Sequence, residues 1–452
     1  MVKLLLWLKY LSRRKIVLLS VSAVALSVAL LTVVASLFTG FIRTYEQSAV
    51  DLLGDIVLES GIKFPDYPKL IAQLERTSEV EAAAATIQAP GLLHIGKGSG
   101  NVRAVEVWGI EPDRLARVTS LKRSLLRQRA LAAAPSFGGT GPDDGMGGFV
   151  GIGVLAEPNQ ITDRYDFLAV QDLIGQRVVL TSGSMEQGEP NEAADRRPRR
   201  RTFEFAIRDV VYAGNFLFDQ QAVFLPLDDL HSRLYPGEPA PMVGRIQIKL
   251  RPGVDAEKAK AVILRTWGDF ARHTLQWGPY QIEIAQVKAA TAKELQARFL
   301  AEVRKQLGVL MLIFGVVDCS AVLLVLCIFY MIVRLKQKDI AILKACGCSS
   351  GQVAWLFLGF GAVVGLVGCG LGTVLGCTFT HHINAIEDWL SLRLGLKLWD
   401  SSAYQFDQIP NQVAWGSVLD IVLLATAAAC VGALVPAIVA ARTRPVEILR
   451  YE

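Results

Sequence analysis

The sequence predicts an α-helical membrane protein with four transmembrane helices and a large extracytoplasmic mixed α/β domain. Three observations predict it. The 452-residue chain is 52% hydrophobic with a mean hydropathy of +0.36, more apolar than an average soluble domain. Four apolar runs, 16–39, 307–333, 353–379 and 413–441, each supply the ~20 residues needed to cross a ~30 Å hydrocarbon core. Between the first two lies a long polar segment, 40–300, large enough to bury its own core.

In chain order, residues 1–15 carry Lys3, Lys9, Arg13, Arg14 and Lys15 and no acid. The uncharged run 16–39 exceeds the ~7–15 residues of a signal-peptide core, so a retained anchor is expected rather than a cleaved leader. Within 40–300, "GDIVLES" (54–60) reads as a strand, and "DYPKLIAQLERTSEV" (66–80) as a helix with Pro68 in its first turn. "VRAVEVWGI" (102–110), "GQRVVLTSG" (175–183), "TFEFAIRDVVYAG" (202–214) and "GRIQIKL" (244–250) read as strands. "DAEKAKAVILRTW" (255–267) reads as a helix started by Asp255. The stretches 135–148, rich in Gly and Pro, and 185–202, acidic then basic, read as flexible loops. The segment 291–311 is expected to run as one helix straight into the second span.

Basic residues set the orientation. The hairpin 334–351 carries Arg334, Lys336, Lys338 and Lys344 against Asp339 alone, and the tail adds Arg442, Arg444 and Arg450. The loop 380–412 has Arg393 and Lys397, outnumbered by Glu387, Asp388, Asp400 and Asp407. Both termini and the hairpin are therefore expected in the cytoplasm, with 40–306 outside. The seven cysteines all lie in the last three spans and the hairpin, so the outer segment is expected to fold without disulfides.

Several chemistries find no support. "GLLHIGKG" (91–98) nearly matches a phosphate-binding loop, but Gly98 stands where the metal-binding hydroxyl is required, and a hairpin turn is expected. There is no H-E-x-x-H and no G-x-S-x-G. Adjacent His381 and His382 are expected to point apart and to hold no metal. The arginines at 196, 197 and 199–201 lie outside the cytoplasm in this topology, which favours a solvated, self-neutralising loop over a nucleic-acid patch; contact with anionic head groups is a second reading. No catalytic, cofactor-binding or metal residue is assigned.

What remains is mechanical. Gly361 and Gly365, then Gly368, Gly372 and Gly376, form small-xxx-small repeats in the third span. They serve either ordinary packing within the chain or a seam with a second subunit. Asp318 lies 11 residues into the second span, about 16 Å at ~1.5 Å per residue. An intramembrane acid is a functional candidate, but without a partner charge nearby it reads, like Asp420, as a hydrogen-bonded packing group. In the hairpin, Ile340, Leu343 and Gly347 share a helical stripe, Gly347 suits a helix C′ position, and Ser349 with Gln352 matches a capping box. A short helix over 335–347 is expected, held between two stiff rods, so a partner pushing on it is answered by both.

Here the residues carry a resemblance. "RLKQKDIAILKACGCSSGQV" (334–353) and "VPAIVAARTRPVEILRYE" (435–452) resemble the two hallmark motifs of the FtsX/MacB-type ABC transporter permeases. The resemblance implies a MacB-like periplasmic core domain over 40–300 and an FtsX-like permease domain over 301–452. It implies that the hairpin is the coupling helix docking a separate cytoplasmic ABC ATPase dimer, through Lys338, Asp339, Ile340, Leu343, Lys344 and Gly347. "LKYLSRRK…SLFTGF" (8–41) and "SAYQFDQIP" (402–410) are most similar to the lipoprotein-releasing (LolC/LolE-type) branch. That implies a non-catalytic, multi-pass inner-membrane subunit without cofactor, working by mechanotransmission with a second permease subunit, homo- or heterodimeric. Its cargo would be a lipoprotein or other extracytoplasmic molecule; membrane lipids, but no nucleic acid, complete the partners. A MacB-like exporter of peptides or small molecules and an FtsX-like regulator of an extracytoplasmic hydrolase are the alternatives.

Overall fold

The computed structural model of the protein describes residues 15–95, 101–138, 145–159, 163–184, 199–400, 404–406, 408 and 409–444. The chain divides into two compact units. One comprises Met1–Thr44, Leu300–Ile386 and Ile409–Glu452, and the other Tyr45–Phe299 with Glu387–Gln408.

The helical unit holds the four apolar helices. They are α1 (Lys15–Leu53), α4 (Ala297–Leu335), α6 (Ser350–His381) and α8 (Trp415–Arg442), each long and apolar enough to cross a membrane. The hairpin helix α5 (Gln337–Ala345) lies between α4 and α6, and α7 (Ile383–Leu394) follows α6. α1 continues 14 residues past the predicted end at 39, because the amphipathic stretch up to Leu53 keeps helical spacing after its apolar run ends. The expected single helix over 291–311 is interrupted. Thr291 and Glu294 form a reciprocal capping box around one turn, Ala292–Leu295, and Gln296 then leaves helical geometry before α4 begins.

The α/β unit is built on a nine-stranded sheet among the described residues, in the order β3-β7-β4-β6-β5-β2-β8-β1-β9. The strands are β1 (Ile56–Phe64), β2 (Val80–His94), β3 (Val102–Ile110), β4 (Gly147–Gly151), β5 (Arg177–Ser184), β6 (Arg199–Val211), β7 (Ala222–Pro226), β8 (Val243–Leu250) and β9 (Lys288–Thr291). β2 is long enough to serve three neighbours. Its first half pairs with β8, its end with β5, and Thr86–His94 with β3. The β2–β3 pairing closes a ring through β7, β4, β6 and β5. Leu93, Val107, Val150, Leu180, Phe205 and Val223 form one core cluster there. On the β1–β8 side, α2 (Tyr67–Glu75) and α3 (Ala256–His273) bury Leu70, Leu74, Ile263 and Phe270 against Phe64 and Ile248. Asp255 caps α3 by accepting from the Glu257 amide at 3.0 Å, as its position predicts.

The alanine-rich 80–94, to which the sequence reading assigned no strand, carries little strand propensity of its own, and pairing on both edges makes it the hub of the sheet. The stretch 135–148 is not wholly a loop: Phe137 is buried with its ring 4.4 Å from that of Phe149, and β4 begins at Gly147. A Cβ at Gly148 would lie 2.7 Å from both Leu225 and Phe205, so the glycine lets β4 enter a filled core. Residues 139–144 and 185–198 lie outside the described residues, and Arg199–Arg201 pair with Ser182–Ser184 in the sheet.

Candidate functional site

The corner between the hairpin helix α5 and α6 is closed by local chemistry. Gly347 adopts φ +98, a left-handed conformation that costs glycine little. Its amide donates to Lys344 O at 3.1 Å, and the Cys348 amide donates to Leu343 O at 3.2 Å. That 5→2 and 6→1 pair is a Schellman ending. Ser349 and Gln352 then exchange hydrogen bonds of 3.1 and 3.2 Å to open α6. Two helices are thus joined through a tight corner with its polar backbone satisfied.

The six residues that the resemblance assigns to docking separate into two sets. Lys338, Asp339, Leu343 and Gly347 are exposed, and Lys336 pairs with Asp339. Ile340 turns inward and packs with Val333, Val353 and Ala440. Lys344 is half-buried and donates to the main-chain carbonyls of Ala441, in the last turn of α8, and of Thr443, just past its end. The exposed apolar pair on this helix is Ile342, 53% exposed, and Leu343, 43% exposed. Sequence reading passed over Ile342, although it neighbours Leu343 in an otherwise charged helix.

The glycine repeats of α6 are occupied within the chain. Gly361 and Gly365 admit Ala433 and Ala429 of α8, while Gly368, Gly372 and Gly376 admit Val24, Val28 and Thr32 of α1. A Cβ at Gly372 would stand 2.5 Å from Ala25 O. Of the two readings of the five glycines, packing within the chain is the one these contacts fit: the close approach they permit here is between helices of one chain.

Between α1, α4 and α8 lies a cavity of about 430 Å³, lined by Val24, Leu31, Val322, Ile421 and Leu424, with Asp318 and Ser27 in its wall. The Ser27 hydroxyl donates to Asp318 Oδ1, so the acid has a hydrogen-bond partner on the neighbouring helix. Asp420 is exposed on α8. The cavity is suited to an apolar chain beside one polar group.

In the α/β unit, the segment after α6 is fastened by charges, two of which, Lys397 and Asp388, sequence reading used only for orientation. Lys397 Nζ lies 2.6 Å from Asp163 Oδ1, and Arg164 lies 2.9 Å from Asp388. The Phe216 amide donates to Gln405 O at 2.9 Å, and the Trp399 indole donates to Phe406 O at 2.8 Å. Burial, then the neighbouring Asp388 and Asp163 carboxylates, push the Glu387 carboxyl above the ordinary range, partly offset by Lys397 and Arg164. His381 and His382 do not point apart: their rings meet edge to face at 4.8 Å.

Comparison with known proteins gives a consistent pattern. A MacB-like periplasmic core domain model matches residues 17–266, just over half the chain, and an FtsX-like permease C-terminal model matches 311–445. The lipoprotein-releasing system transmembrane protein LolE of Haemophilus influenzae is 30% identical over 119 residues, 26% of this chain and 29% of the relative. LolC of Xylella fastidiosa is 33% identical over 122 residues, 27% and 30% of the two chains. The matched segments thus span under a third of these relatives. The periplasmic region of MacB from Actinobacillus actinomycetemcomitans overlays with a TM-score of 0.32 and 11% identity, covering 55% of this chain and 95% of that one.

Proposed function

The chain belongs to the FtsX/MacB-type ABC transporter permease family, and from that premise we propose that it is the membrane subunit of an ABC transporter that moves lipid-anchored proteins by mechanotransmission. A separate ATPase dimer supplies the stroke by gripping α5. The observation that carries this reading is the exposed Ile342–Leu343 pair, an apolar contact on a charged helix whose C-terminal end is fixed by a Schellman corner leading into the capped start of α6. An apolar pair left to water in such a place is a candidate for coverage by a partner.

The mechanism follows from how α5 is joined. Closure of the ATPase dimer displaces α5, and α4 and α6 move with it because each is attached through a single short corner. α4 is a 39-residue helix, long enough to carry that displacement out of the membrane. The excess of Lys and Arg in the hairpin and termini supports a cytoplasmic position for both. A second permease subunit completes the assembly, because four spans in one chain are few for a transport path. The apolar cavity beside Asp318 favours an acylated cargo over the soluble peptides that a MacB-like exporter would take. The α/β unit handles the cargo on the outer face, and the catalytic step belongs to the ATPase.

The test is to extract the protein from its native membrane and purify it gently. An ABC ATPase should accompany it in a fixed ratio, and the reconstituted assembly should release an acylated protein from vesicles only with ATP. A chain that purifies alone and releases the same substrate unaided overturns the reading.

A further inference from the structure

The ammonium of Lys344 donates to Ala441 O and to Thr443 O, each at 2.8 Å. Both acceptors sit at the C-terminal end of α8, which closes at Arg442. The last four carbonyls of a helix lack intrahelical partners and carry the negative end of its dipole. A lysine from a different helix therefore caps α8. Beneath it, Ile340 packs with Val333 of α4, Val353 of α6 and Ala440 of α8. Two stretches of chain 97 and 99 residues apart are thus joined by one side chain above a small apolar cluster.

We propose that Lys344 is a positioning residue that clips the hairpin helix to the end of α8, so that a displacement of α5 is delivered to three helices instead of two. The inference rests on the proposed function in one respect, that an ATPase supplies the displacement. A docking role for Lys344 fits the geometry poorly. Its side chain is half-buried and two of its three donors are committed to backbone, while Lys338 and Asp339 stand exposed on the same helix. α8 also contains the place where such a pull is absorbed. Pro436, inside the helix, has no amide for the Gly432 carbonyl, so the last turns are less firmly tied to the rest.

Hydrogen exchange on the full-length protein in detergent, without nucleotide, tests the clip independently of any ATPase. Lys344→Met should speed amide exchange over 438–444 roughly tenfold, the scale of losing a charged hydrogen bond. Lys344→Arg, which keeps the donors, should restore most of the protection. Where the ATPase copurifies, Lys344→Met should retain it yet lose ATP-driven release, which a docking residue would not do. Unchanged exchange over 438–444 in Lys344→Met overturns the proposal, as does loss of the ATPase from that variant with protection intact. If no ATPase accompanies the unmodified protein, the transporter reading fails, and the exchange measurement still decides the clip.

Discussion

Lys397 Nζ lies 2.6 Å from Asp163 Oδ1, and Asp163 holds it from left-handed backbone with φ 52 and a side chain only 10% exposed. Aspartate tolerates that conformation better than most residues, so the acid is presented at a fixed point. The pair, together with Arg164 and Asp388, secures the segment 387–400 within the α/β unit.

Removing the ammonium should loosen that segment. Lys397→Met is expected to cost about 1.5–3 kcal/mol, the range for a hydrogen bond to a charged group. Hydrogen exchange over 387–400 should rise, and the double variant with Asp163→Asn should recover part of the loss. Unaltered exchange would show that the pair contributes nothing to docking.

The same segment should respond to pH through Glu387, whose folded pKa is raised by burial and by Asp388 and Asp163. A raised carboxyl favours the docked state while it is protonated. That contribution is complete below the unfolded pKa and is lost as pH rises through the raised folded value. Protection of 387–400 should therefore fall as pH climbs toward neutrality, and Glu387→Gln should flatten the dependence. A slope that survives in Glu387→Gln assigns the effect elsewhere.

On the hairpin, Leu343→Asp should abolish copurification of the ATPase while membrane insertion and the protection of α6 are unchanged. The substituted position is exposed, so no internal packing is disturbed. Retention of the ATPase at its normal ratio would remove Leu343 from the contact.

The glycine seam should be intolerant on one face only. Gly372→Val places a side chain 2.5 Å from Ala25 O and should destabilise the helical unit by about 1–3 kcal/mol, read as a lowered melting temperature in detergent. Gly370→Ala, with no atom within 4 Å, should leave it unchanged. Equal behaviour of the two variants would mean that α1 does not pack there.

Asp209 is fully buried and accepts the amides of Arg127 at 3.0 Å and Gln128 at 2.7 Å. Asp209→Ala orphans both donors, at about 1–3 kcal/mol each. The α/β unit should show a lower denaturant midpoint, and an unshifted midpoint would mean that water replaces the carboxylate at no cost.

Features that depend on neighbours along the chain were legible in the sequence. The four apolar helices, the Asp255 cap, the Ser349–Gln352 box and the strand 102–110 all follow from local composition and spacing, and each is present. The break at Gln296 is not legible in helix propensity, which is nearly uniform across 291–311; its one local signal is the Thr291–Glu294 capping box around the first turn. At the hairpin, the corner was readable, but the division between Ile342–Leu343 and Ile340–Lys344 was not.

By itself, then, the sequence determined where the chain has runs apolar enough to cross a membrane, where caps such as Asp255 and Ser349 start a helix, and which short stretch joins two of the spans. These depend on hydropathy and on hydrogen bonds that reach no more than a few residues. Only the tertiary structure decided what each side chain meets: that Gly372 admits α1, that 80–94 is a central strand, and that Lys344 caps α8. Those outcomes depend on partners tens to hundreds of residues away, whose positions a one-dimensional pattern does not contain.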